Sequence, residues 1–276
     1  MIFPEEYEIK TWETEKRLFI SRPESITTDA FSPCCMSPDD VDYEMQQGKN
    51  SRMLEIIGMN QKSLEYFVQH YGGSYEYLSF FKCQLISDFS PLEDLKNLRA
   101  VSIYWNIRAD KLWDFSKNDS MKSIYVQQAK KLTLKPDRLK TSKTLDTVCF
   151  VGDIFGTYPM ESLSCFEGMP ALRQLWLGFI RLNDKSLDVL KTLPKLERFD
   201  FDAGMLTTEE IAWIAAKYPA LQGKSICAYN TEDATLNDVR VCGYKKPSLD
   251  LPEQRKRLDK YVAQFNELVE KYKNEE

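Results

Sequence analysis

One hydrophobic frame recurs along this chain. With Leu98 as position 1, Val101 stands at position 4 and Ile103 at position 6. The same L-x-x-L-x-L spacing returns at Met121-Ile124-Val126, Leu145-Val148-Phe150, Leu172-Leu175-Leu177 and Leu196-Phe199-Phe201. Upstream it fits Tyr75-Leu78-Phe80 and Leu54-Ile57-Met59, so that all 21 positions are apolar. Successive starts lie 21, 23, 23, 24, 27 and 24 residues apart. Positions 4 and 6 have the period of a strand, pointing inward while 3, 5 and 7 point to the opposite face. The longer period is that of a stacked repeat, whose units bury their apolar edges against their neighbours. Position 11, the next apolar site, is met by Leu64, Leu85, Phe155, Leu182 and Leu206, and slips by one residue to Ile107 and Leu132 in two repeats.

Between the strands, Leu92 and Leu95, and Leu187, Leu190 and Leu193, recur at i+3 and predict helical segments on the back of the stack. "SLEYFVQHYGG" reads as a helix stopped by Gly72, and Thr207 or Thr208 as the N-cap of one carrying Ile211 and Ile214, with Glu209 and Glu210 in its first turn. Outside the repeats, "YEIKTW" and "RLFISR" are expected to form a hairpin around "ETEK". Ser37, Pro38 and Asp40 open a further helix as N-cap, N1 and N3. Near the other end Leu258, Tyr261, Val262, Phe265, Leu268, Val269 and Tyr272 follow helical spacing after Pro252. A stack leaves an apolar face open at each end, so this stripe is expected to dock there as a cap. "NTEDATLNDVRVCGYKKPSLD", just before it, reads as an irregular linker or a short strand pair.

Over roughly Leu54 to Tyr229 the frame resembles that of leucine-rich repeat proteins. "CQLISDFSPLEDLKNL" is similar to the bacterial internalin type, while "LNDKSLDVLKTLPKLERFDF" is closer to longer repeats with a helix on the back. The resemblance implies an α/β fold: a right-handed leucine-rich repeat solenoid with a parallel concave sheet. It implies about seven repeats over residues 54–229, an N-terminal cap over 1–53, and a linker and capping helix over 230–276. One feature departs from the family. Position 9, where an Asn or Cys bonds otherwise unpaired turn backbone, is matched by Cys83 and Asn106, whereas Lys62, Ala129, Asp153, Ile180 and Gly204 stand elsewhere. Irregular turns are expected there.

Charge and chemistry then narrow the function. A net charge of −5 argues against nucleic acid as the main partner. No run of about 18 apolar residues suggests a membrane span, and the first residues lack a signal-peptide core. Seven cysteines (Cys34, Cys35, Cys83, Cys149, Cys165, Cys227 and Cys242) are scattered without a CxxC pair. They read as buried free thiols in a reducing compartment, so a cytoplasmic location is expected. With one histidine, His70, a His-rich metal site is excluded, and its place at a helix C-terminus is one the dipole favours for a cation. Phosphate-loop, dinucleotide-binding and H-E-x-x-H motifs are all missing. Neither cofactor nor metal is expected. Asp200 and Asp202 in "FDFD" share one strand face with Arg198, which is placed to neutralise them, so a salt-bridged face is favoured over paired catalytic carboxylates. The basic run from Lys130 to Lys143 falls after a strand and reads as solvated surface.

The remaining feature is the face formed by positions 3, 5 and 7. It carries Tyr77, Phe81, Tyr104, Tyr125, Gln127 and Trp176, stays nearly uncharged until Arg198, Asp200 and Asp202, and has Trp105 and Phe179 at position 8 along its exit edge. Tyr and Trp are favoured interface anchors because each buries much area at low rotamer cost. The leading expectation is therefore a monomeric, non-enzymatic scaffold binding a protein partner, as an adaptor or an immunity-type inhibitor, with the two aspartates facing a basic element of that partner. The competing structural reading is that these aromatics pack across neighbouring strands or lie under the N-terminal segment. A secreted, internalin-like adhesion role would call for disulfides, and an enzyme using the "FDFD" carboxylates for a pocket around them.

Overall fold

The computed structural model describes residues 25–27, 36–47, 52–153, 155–234 and 236–275. The expected hairpin around "ETEK" lies outside them. The main sheet has eight parallel strands in chain order: β1 (Ser25–Thr27), β2 (Met53–Ile57), β3 (Tyr77–Phe81), β4 (Ala100–Tyr104), β5 (Ser123–Gln127), β6 (Thr147–Val151), β8 (Gln174–Gly178) and β10 (Arg198–Phe201). Two short strands, β7 (Tyr158–Met160) and β9 (Ile180–Leu182), pair in parallel as a second sheet. This mixed α/β architecture is compatible with a stacked-repeat fold.

Strand register follows the hydrophobic frame. Val101 pairs with Ile124, Ile124 with Val148, Val148 with Leu175, and Leu175 with Phe199, forming one row that is at most 1 % exposed. Ile103, Val126, Phe150, Leu177 and Phe201 form the second row, all fully buried. Each such side chain removed from water contributes roughly 1.5–3 kcal/mol, which is why the frame dictates register.

The first repeat is displaced from its expected frame. Leu54 pairs with Leu78 and Ile56 with Phe80, so these two residues hold positions 4 and 6, and the repeat begins at Ser51, 24 residues before Tyr75. Ile57 thereby moves from core to front, where it is half-buried. Position 11 also needs correcting: the shift takes Leu64 off it, and Leu85 is half-buried while Ile86 beside it is fully buried. Phe155 and Ile107 are 92 % and 53 % exposed, and Ala109 takes the buried place in the Ile107 repeat.

The back of the sheet is made mainly of 3-10 turns, at Ser90–Asp94, Phe115–Lys117, Asp137–Thr141, Leu163–Phe166 and Asp188–Thr192, rather than of α-helices. Two apolar residues at i and i+3 match a turn of three residues, and without i+4 or i+7 partners nothing extends it. Buried asparagines tie these turns together. Asn106 Nδ2 donates to the carbonyls of Cys83 and Ile86, while its Oδ1 accepts from the amides of Arg108 and Ala109. Asn118 does the same one level back: its Nδ2 reaches the Leu92 and Leu95 carbonyls and its Oδ1 accepts from Trp113 Nε1.

True α-helices stand at α1 (Pro38–Gln46), α2 (Gln61–His70), the short α3 (Lys130–Leu134), α4 (Thr208–Lys217) and α5 (Arg255–Asn274). Ser37 caps α1 through a capping box with Asp40, and Thr207 caps α4 through one with Glu210. Helix α2 ends at His70 with Tyr71 as C-cap. Gly72 does not stop it by a left-handed turn; a Cβ there would meet Leu95 Cδ2 at 2.8 Å, so glycine serves close packing. At the far end the segment read as an irregular linker or a short strand pair is a three-stranded antiparallel sheet of β11 (Tyr229–Asn230), β12 (Val239–Val241) and β13 (Ser248–Leu249). Helix α5 packs along α4; its Phe265 enters the main core, and Leu258 joins Val239, Val241 and Leu249.

The exit edge as candidate functional site

A left-handed residue follows strand after strand at position 8. Gly58, Lys82, Trp105, Gln128 and Phe179 have φ of 75°, 54°, 60°, 51° and 52°. The amides of the first four, with that of Gly152, extend the strand ladder by one rung. Gly58 donates to the Phe81 carbonyl, Lys82 to Tyr104, Trp105 to Gln127, Gln128 to Val151 and Gly152 to Gly178. The turn this imposes aims the position-8 side chain away from the core. Glycine is the cheapest residue for such a backbone, and each other residue costs about 1–2 kcal/mol. Trp105 and Phe179 nevertheless occupy it, 39 % and 38 % exposed.

Around Trp105 the edge is built up by stacking. The Phe81 and Tyr104 rings are parallel within 3° at a centroid distance of 5.0 Å. Lys82 Nζ lies 5.1 Å from the Phe81 ring and 5.3 Å from that of Trp105, within cation–π range. Tyr104, Phe81 and Gln127 are half-buried, and Gln127 Oε1 accepts from Tyr125 Oη at 2.8 Å. Ile107 and Phe155, in the loops leaving β4 and β6, are further exposed apolar residues. Exposed Arg108, Lys111, Lys130 and Lys131 follow β4 and β5 and make no ion pair with the described residues.

The rest of the expected face is not open surface. Tyr77, Tyr125 and Asp200 are 2 %, 3 % and 1 % exposed, and Ser79, Ser102, Ala100 and Ser123 are fully buried. Tyr77 packs with Met53 and Ala100, while Tyr125, Cys149 and Val151 form a second cluster against which half-buried Trp176 lies. The packing alternative thus describes most of positions 3 and 5, although Gln174, Trp176 and Arg198 stay half-buried, and the more exposed side chains stand at positions 7 and 8. Burial keeps the Tyr125 phenol protonated well above its ordinary range, with Cys149 and Tyr104 adding to the effect.

Arg198, Asp200 and Asp202 form a structural end piece. Asp200 Oδ2 accepts from Arg198 Nε at 2.5 Å and its Oδ1 from the Lys224 amide at 2.6 Å. Asp202 accepts from the Phe179 amide and lies 3.8 Å from Lys224 Nζ, which also pairs with Asp233 at 2.7 Å. Burial raises the Asp202 pKa despite the Phe179 amide and Lys224. Burial likewise opposes the Lys224 ammonium, but Asp233, Asp202 and Asp200 outweigh it and raise its pKa. Asp200 is committed within the fold, while the Asp202 side chain, 31 % exposed, is partly engaged there. Lys82, Lys224 and Asp233 were not singled out by sequence; position-8 spacing would have found the first, and nothing local marks the other two.

Among the described residues no group of three or more His, Cys, Asp or Glu side chains is placed to hold a metal ion, and no helix is long and apolar enough to cross a membrane. A cleft of about 990 Å³ lies between α2 and the Ser90–Asp94 turn, lined by Glu65, His70, Glu93 and Asp94 among others.

No family model matches the chain, and no curated protein does. Among solved structures it is similar to an internalin (inlF) from Listeria monocytogenes, 16% identical, with a TM-score of 0.33 over 54% of this chain and 47% of that one. The chain thus spans about half the length of the internalin that it matches.

Proposed function

We propose that the chain is a leucine-rich repeat solenoid, capped over residues 1–53 and 230–276, that works as a non-enzymatic, cytoplasmic protein-binding scaffold. In this reading the contact surface is the exit edge: Phe81, Lys82, Tyr104, Trp105, Gln127 and Phe179. The observation that carries it is the pair Trp105 and Phe179, large aromatic side chains held outward on left-handed backbone that glycine would adopt more cheaply. Lys82 and Gln128 fill the same slot in other repeats, so the fold itself does not require an aromatic there. Exposed Arg108, Lys111, Lys130 and Lys131, which follow β4 and β5 in the chain with Asp110 the one exposed acid between the first two, favour a partner segment that carries carboxylates around an apolar anchor.

The test is site-specific photo-crosslinking in cells that make the protein, with the crosslinker at position 105, at 179, or at Lys62 on the back. Adducts to another protein from 105 and 179 but not from 62 support the reading. Equal labelling from all three, or labelling from 62 alone, refutes it.

A further inference from the structure

Two cysteines outside the repeats face each other in the C-terminal cap. Cys227 Sγ and Cys242 Sγ are 3.8 Å apart, in hydrogen-bonding contact, on segments that the β11–β12 pairing holds together; the Cys242 amide donates to the Ala228 carbonyl at 3.0 Å. Cys242 is fully buried and Cys227 half-buried, so a reagent approaches the pair from the Cys227 side. The remaining described cysteines, Cys83, Cys149 and Cys165, are all buried. We infer that Cys227 and Cys242 form an oxidisable dithiol, with Cys227 as the attacking and Cys242 as the resolving thiol, which a low-molecular-weight disulfide closes to a disulfide bond.

The chemistry balances without any group from elsewhere in the protein. Cys227 as thiolate attacks one sulfur of the small disulfide, forming a mixed disulfide and releasing one small thiolate. Cys242 sulfur then attacks the Cys227 sulfur, expelling the second small thiolate. The two cysteine protons end on the two released thiols, and two electrons pass from the protein to the reagent. Cys227 Sγ also donates to the Lys224 and Tyr229 carbonyls at 3.3 and 3.0 Å, contacts that it gives up on attack. The contact with Cys242 favours the Cys227 thiolate and lowers its pKa, against burial and the carboxylates of Asp233 and Glu232. The same contact, with burial, raises that of Cys242. Closing 3.8 Å to the length of an S–S bond, about 2.05 Å, is within reach of side-chain rotation.

The bond would tie the loop holding Lys224 and Asn230 to β12. Asp233, held by both of those residues, accepts from the Ala203 amide just after β10, so oxidation would fasten the cap to the end of the sheet.

The experiment incubates the full-length protein with oxidised glutathione and maps peptides under non-reducing conditions. The expected product is a Cys227–Cys242 cross-linked peptide pair with no retained glutathione, and a melting temperature several degrees above that of the reduced protein. Cys242→Ser should instead trap a glutathione adduct on Cys227. A wild-type protein that keeps glutathione on Cys227, that links either cysteine to a different one, or that leaves both thiols free overturns the inference.

Discussion

The Phe179 amide donates to the side-chain carboxylate of Asp202, where the five preceding position-8 amides donate to the position-7 carbonyl of the next strand. The final strand stops at Phe201, and the aspartate that follows supplies the acceptor with its side chain. Asp202→Ala should therefore lower the unfolding free energy by about 1.5–3 kcal/mol, the range of a lost charge-assisted hydrogen bond. Asp202→Asn, which keeps an acceptor oxygen, should cost less. Chemical denaturation of the three proteins gives the comparison, and equal losses for both variants would show that charge rather than the amide contact matters.

Leu175→Ala tests the inward register. The side chain is fully buried between Val148 and Phe199 in neighbouring strands, so truncation should cost about 2–5 kcal/mol in urea unfolding. A near-zero cost would contradict the row described above.

Gln128→Gly should do the opposite. Gln128 sits at φ 51° with a half-buried side chain, and glycine relieves about 1 kcal/mol of left-handed strain. Gln128→Ala keeps the strain and should give no gain. If both variants destabilise, the side chain has a structural role that its backbone conformation does not reveal.

The N-terminal helix carries a pH signature. Tyr71 and Tyr66 donate to Asp42 at 2.6 and 2.8 Å, which lowers the Asp42 pKa below its ordinary 3.8 and raises that of Tyr71 to about 12. A lowered carboxylate pKa makes its contribution complete above 3.8 and lost as pH falls through the lower folded value. A raised phenol pKa makes its contribution complete below 10.0 and lost as pH climbs through about 12. Ultraviolet titration should show one tyrosine ionising near 12 that returns toward its ordinary value in Asp42→Asn. An unchanged titration curve would place no ionised carboxylate beside Tyr71.

Much of this architecture is legible because burial follows a strict alternation. A residue at position 4 or 6 has nowhere to go but inward, so six triplets fix their own register. The first repeat misleads because Leu54-Ile57-Met59 satisfies the frame as an apolar triplet, while the true one begins with Ser51. Gly58 held the answer: it falls at position 8 only in the shifted register, where the left-handed turn favours glycine. The front face was harder. Alternation says that Tyr77 and Tyr125 leave the core, but it carries no information on what packs over them. Asp200 and Asp202 were legible as a neutralised pair through Arg198, yet their larger ties, to Lys224 and to the Phe179 amide, join residues some two dozen places apart with no periodic signal between them.

The carboxylates that close the sheet also set how the gene could change length. A copied repeat inserted between β5 and β6 would meet the same carbonyls and the same apolar rows on both sides, and should be tolerated. One appended after β10 would meet Asp200 and Asp202 already engaged by the following loop, and would have to displace β11–β13 and α5 to dock. Growth at the β10 end of the sheet is therefore blocked, whereas the middle can lengthen.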